Sequence, residues 1–127
     1  MRGARGSDGS SVRGAASEGG LNVGILPTNR ANDANPWVKV RIPTGLGSAR
    51  NPLVVRSGTA VIAVDGSYGT LTEIAFTLAE NTPVVALNSW ENALGEQWNE
   101  DGIHWVDTPI EAAVLAVELA FAHTASL

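Results

Sequence analysis

Residues Ala60 to Glu80 read AVIAVDGSYGTLTEIAFTLAE, an apolar run broken by Asp65 and the closely spaced Gly66 and Gly69 just before helical periodicity begins. Glycine admits positive φ and close approach of backbone to a ligand. A helix N-terminus adds amides without an intrahelical acceptor and the positive end of the helix dipole. Gly66, Ser67, Gly69 and Thr70 therefore compose a turn shaped for an anion, most often a phosphate. Such a turn also joins strands to helices with no ligand, and the carboxylate of Asp65 repels a phosphate unless it points away or bonds the turn amides. Glu73 has two readings. Thr70 to Glu73 spells T-x-x-E, a capping box in which the carboxylate only bonds the helix's own first amide. Glu73 also lies across the helix from Leu71, Ile74 and Leu78, in the first turn, where a carboxylate facing a cleft could act as acid or base. Arg50 precedes Asn51 and Pro52, and proline suits the first helical position while disfavouring a helical residue ahead of it. Arg50 thus stands at or just before a helix N-terminus, where by itself it reads as a solvated loop arginine. Arg56 reads as a surface or ion-pair residue.

The elements that must position these residues alternate between strand and helix. LNVGILP is a short buried strand ended by Pro27, TNRANDANPW a polar loop, and WVKVRIP a second, alternating strand. TGLGSARNPLVVRSG opens with a glycine turn containing Gly45 and continues into a short helix from about Asn51. TAVIAV is apolar throughout, as in a central parallel strand. Leu71, Ile74, Ala75 and Leu78 form one buried helical stripe. NTPVVALNSW and GIHWV supply two more strands, and Thr108, Pro109 and Glu111 form a T-P-x-E capping box ahead of a final helix. This order predicts an α/β fold: a parallel sheet, right-handed crossovers, helices on both faces, and ligands beyond the carboxyl ends of the strands. Residues 1–20 form a Gly/Ser-rich segment that is either a short helix or a leader, and residues 21–127 a single domain.

Composition narrows the function classes. The 127 residues carry a net charge of −5 without a run of Lys or Arg, which argues against nucleic acid as the partner. There is no cysteine and only two histidines, His104 and His123, so thiolate chemistry and a histidine-rich metal site are disfavoured. No segment has the apolar length of a membrane span and none reads as a signal peptide, so the expected place is the cytoplasm and the expected partner a small molecule or another protein.

GLNVGILP together with IPTGLGSARNPLVVRSGTAVIAVDGSYGTLTEIAFTLAENTPVVAL resembles the LOG-type proteins once labelled lysine decarboxylases, especially their branch similar to molybdenum-cofactor carrier proteins. The resemblance covers roughly residues 20–87 and joins an Arg-Asn pair, V-V-R-S and G-x-x-G-T-x-x-E in one order. It implies a Rossmann-like fold, often dimeric or tetrameric, and for the LOG enzymes hydrolysis of the N-glycosidic bond of a nucleoside 5′-monophosphate. By resemblance Arg50 and Glu73 match the catalytic pair, Gly66, Ser67, Gly69 and Thr70 the phosphate turn, and Gly45 and Asn51 further ligand contacts. The chemistry is consistent: bond cleavage builds positive charge on the sugar that a carboxylate stabilises, and a guanidinium forks a phosphate or holds the carboxylate. Departures are visible as well. Asp65 and Ser67 replace glycine or proline of the family turn, the earlier glycine motif survives only as Gly3, Gly6 and Gly9, and the family's first β-α-β is missing.

Three functions follow as expectations: binding of a phosphorylated small ligand, such as a nucleotide or the molybdenum cofactor; a phosphoribohydrolase using Glu73 and Arg50; or a relative that has lost its ligand. A sheet lacking its first β-α-β leaves an edge and an apolar face to be covered. A homo-oligomer is therefore expected, most simply a dimer, with the open edge or the helix from Asn51 to Ser57 at the contact and Trp37, Trp90, Trp98 and Trp105 as available apolar surface.

Overall fold

The computed structural model describes residues 7–88 and 102–126. Gly3, Gly6, Trp90 and Trp98 lie outside them. The chain divides into two compact units, Met1–Arg50 and Asn51–Leu127.

In the first unit, helix α1 (Ser7–Ser17) precedes strands β1 (Val23–Leu26) and β2 (Val40–Pro43), which pair in parallel with Val23 opposite Val40 and Leu26 opposite Pro43. The segment 1–20 thus contains a helix. Asn22 fixes the start of the pair: its amide donates to the Trp37 carbonyl (3.0 Å) and its carbonyl accepts from the Lys39 amide (2.8 Å). Gly24 is required by packing, since a Cβ there would meet Val38 Cγ1 at 2.8 Å. Trp37 is half-exposed beneath the Arg13 guanidinium, 5.4 Å from ring centre to Cζ, a cation–π contact.

In the second unit, α2 (Asn51–Arg56), β3 (Val61–Val64), α3 (Tyr68–Ala79), β4 (Val84–Leu87), β5 (Ile103–Val106) and α4 (Pro109–Ser126) follow in order. The parallel sheet has the order β3-β4-β5, with Val61 opposite Val84 and Val84 opposite Ile103. Because strand side chains alternate, β4 serves both faces. Val84 and Ala86 pack with Ala63, Ile103 and Ile74 of α3, joined by Leu78 and Trp105. Val85 and Leu87 pack with Ala112 and Ala116 of α4, joined by Leu115 and Leu119. Helices on both faces of a parallel sheet are as expected.

Three local expectations need correcting. The central strand is β4, buried at all four positions, while β3 is an edge of the three-stranded sheet and exposes Ile62. The parallel strands occupy two sheets, β1-β2 and β3-β4-β5. In α3 the buried stripe takes Thr77 in place of Ala75. Thr77 is fully buried because its hydroxyl donates to the Glu73 carbonyl at 2.6 Å, leaving no orphan polar atom.

Candidate functional site

At the carboxyl end of β3 the chain turns through Asp65, whose φ is 67°, and enters α3. Positive φ was expected at Gly66 and Gly69; it falls on Asp65 instead. An aspartate tolerates the left-handed region, and Gly69 already lies inside the helix. The Asp65 amide still donates to Leu87 (3.3 Å), so the turn starts directly from the β3–β4 ladder. What the glycines contribute is open space. A Cβ on Gly66 would meet nothing within 4 Å, and one on Gly69 only Ser67 Oγ at 3.8 Å.

Ser67 is the N-cap of α3. Its extended backbone and its Oγ, which accepts from the Thr70 amide at 3.1 Å, satisfy one first-turn donor. The hydroxyls of Ser67 and Thr70 lie 2.9 Å apart, so Gly66, Ser67, Gly69 and Thr70 form one connected polar turn. This corrects the T-x-x-E reading: Thr70 is the third helical residue, not the cap, and Glu73 belongs to the second turn. Glu73 is half-buried. Thr108 caps α4 as expected, the Glu111 amide donating to Thr108 Oγ1 (3.2 Å), while the Glu111 carboxylate accepts from that hydroxyl (3.0 Å) rather than from the Thr108 backbone amide of a full capping box.

The remaining predicted site residues lie elsewhere. Gly45, at φ 67°, donates its amide to the Thr28 carbonyl (2.9 Å) beyond the carboxyl ends of β1 and β2. Thr44 ties the same loop to Leu26 through both its amide (3.1 Å) and its hydroxyl (2.6 Å). Arg50 ends a short 3-10 turn (Gly47–Arg50) and donates from Nη1 to the Ile25 carbonyl of β1. Asn51 opens α2 and is buried, and no hydrogen bond to a described residue engages its side-chain amide. A buried amide of this kind calls for a partner, and only its burial, invisible in the sequence, reveals it. Arg56 is an ion-pair residue, its Nη2 2.7 Å and Nε 2.9 Å from Glu80 Oε1. Among the described residues no group of three or more Asp, Glu or His could hold a metal ion, and no helix is long and apolar enough to cross a membrane.

Comparison with known proteins places this geometry. The chain is 30% identical to the molybdenum cofactor binding protein of the phototrophic bacterium Rippkaea orientalis, with a TM-score of 0.78 over 87% of this chain and 69% of that one. The molybdenum cofactor carrier protein of Chlamydomonas reinhardtii is 29% identical, with a TM-score of 0.80 over 94% of this chain and 73% of that one. A protein of Archaeoglobus fulgidus is 46% identical over 77 residues, which span 61% of this chain but only 50% of that relative. The model of the SLOG cluster4 family matches residues 2–114, a stretch that takes in both glycine loops, the Ser67 cap and Glu73. With nearly the whole chain matched and molybdenum cofactor proteins as structural neighbours, the chain belongs to the SLOG cluster4 family, a LOG and molybdenum-cofactor-carrier-like group with an α/β fold of parallel strands.

Proposed function

We propose that the chain binds a phosphorylated small molecule of the nucleotide or molybdopterin kind, its phosphate seated on the turn from Asp65 to Thr70. The observation that carries this reading is the unobstructed face of Gly66 and Gly69 beside the paired hydroxyls of Ser67 and Thr70, at a strand's carboxyl end and a helix N-terminus. The names of the two solved relatives, which bind or carry the molybdenum cofactor, support it. The buried amide of Asn51 is the second polar group assigned to the ligand, since a donor and acceptor pair suits the edge of a base or pterin. Calorimetric titration with a nucleoside 5′-monophosphate and with inorganic phosphate tests the reading. Saturable binding of the monophosphate, tighter than that of phosphate alone, is the expected result; no saturable heat with any phosphorylated ligand overturns it.

One observation favours a second reading. Glu73 is half-buried in the second turn of α3, one turn beyond the phosphate turn, where a carboxylate stabilises an oxocarbenium-like sugar and activates water. On this reading the bound monophosphate and water give free base and ribose 5-phosphate. Release of free base during prolonged incubation separates hydrolysis from binding alone.

A further inference from the structure

A phosphate monoester brings about two negative charges, and the unit that carries the glycine turn is already acidic. From Asn51 to Leu127 the sequence holds ten Asp and Glu against one Lys or Arg, Arg56. Arg56 is engaged at the other end of α3: it pairs with Glu80, and the 12 residues of that helix separate the pair from the turn by about 18 Å. No basic side chain of this unit therefore serves a phosphate on the turn. Asp65 deepens the deficit. Its side chain is exposed where β3 ends, one position ahead of Gly66. Its backbone is fixed there, at φ 67° and with its amide bonded to Leu87. Among the described residues no hydrogen bond or ion pair engages its carboxylate, so it does not bond the turn amides that would absorb its charge. Ser67 Oγ takes the Thr70 amide instead.

A carboxylate beside a phosphate is repelled by it, and one hard cation bound to both turns the repulsion into a bridge. Magnesium suits this pair. It is held by one or two carboxylates together with substrate phosphates, keeps its other positions as water, and needs no cage made wholly of protein. With metal–oxygen bonds of about 2.1 Å at right angles, a carboxylate oxygen and a phosphate oxygen about 3 Å apart share one ion. Among the described residues no group of three or more Asp, Glu or His could hold a metal unaided, so these residues give the ion no resident site and it arrives with the phosphate. On the reading that a phosphate sits on this turn, we propose that the ligand binds as its magnesium complex, with Asp65 as the protein's carboxylate on the ion.

Calorimetric titration of the intact chain with adenosine 5′-monophosphate tests this, once in magnesium chloride and once in EDTA with sodium chloride at the same ionic strength, so that screening is equal. The parent should bind on the order of tenfold more tightly with magnesium, the size of the repulsion between a carboxylate and a doubly charged phosphate in a wet site. Asparagine tolerates positive φ as aspartate does, so Asp65→Asn keeps the turn. That variant should bind equally in the two buffers, and in EDTA more tightly than the parent, because the repulsion has gone with the metal ligand. Magnesium alone should give the parent no saturable heat. Equal affinity of the parent in both buffers, or a magnesium dependence that survives in Asp65→Asn, overturns the bridging ion and leaves the phosphate turn standing. Saturable binding of magnesium alone would mean a resident site and overturn joint arrival. No binding in either buffer overturns the turn and the ion together.

Discussion

Glu73 stands in the second turn of α3, and its role turns on which residue caps that helix. With Ser67 as N-cap, the residue placed to complete a capping box is Thr70, and the structure pairs those two hydroxyls. Glu73→Gln keeps the size and shape of the side chain while removing its charge, and with it any chemistry that depends on that charge. Glu73→Gln should bind a nucleoside monophosphate as the parent does. If the parent releases base, the variant should release it on the order of 10²-fold to 10⁴-fold more slowly, the usual loss for a positioned acid or base. Equal base release by the two would exclude Glu73 from catalysis. Gly69→Val tests the turn itself. Its Cβ has room, with Ser67 Oγ 3.8 Å away, so the fold should survive while the branched side chain covers the amide face. Loss of monophosphate binding in a variant with a normal melting curve is the expected outcome, and retained affinity would place the phosphate elsewhere.

At the scale of elements, the signals that proved readable were those with a mechanism local to the chain. Pro109 after Thr108, with Glu111 two residues on, announces α4, and the Thr108 hydroxyl accepts the Glu111 amide as an N-cap should. Thr108→Ala should thus lower stability by about 1 kcal/mol, read as a shift in denaturant midpoint at constant slope. The start of α3 was less legible, because Ser67 and Thr70 are both good caps and the sequence alone does not rank them. Likewise TAVIAV and PVVAL are equally apolar, so only pairing shows that β4 takes the centre and β3 an edge. The positive φ at Asp65 was hidden by two neighbouring glycines that attract the same assignment. The burial of Asn51 and Thr77 depends on tertiary packing, which no periodicity encodes. The Arg56–Glu80 contact gives an opposite kind of prediction. Both side chains are well exposed, so Glu80→Gln should leave the melting temperature nearly unchanged, as surface ion pairs contribute at most about 1 kcal/mol.

For the whole molecule, the charge of −5 opposes an anionic ligand, so binding must come from local donors rather than from the long-range field. The donors at the turn from Asp65 to Thr70 are amides and hydroxyls, fixed by the β3–β4 ladder on one side and the Ser67 cap on the other. A ligand held there binds only folded chain, and folding stability must rise with its concentration. At one hundred times the dissociation constant the gain is about 2.7 kcal/mol. For a chain of this size that is on the order of 10 °C in melting temperature. The measurement holds the protein concentration fixed and varies only the monophosphate. Gly69→Val should lose the ligand-induced rise, while Val114→Glu, on the outer face of the helix across the sheet from α3, should keep it. A rise that persists in Gly69→Val and vanishes in Val114→Glu would move the ligand from the turn to the outer face of α4.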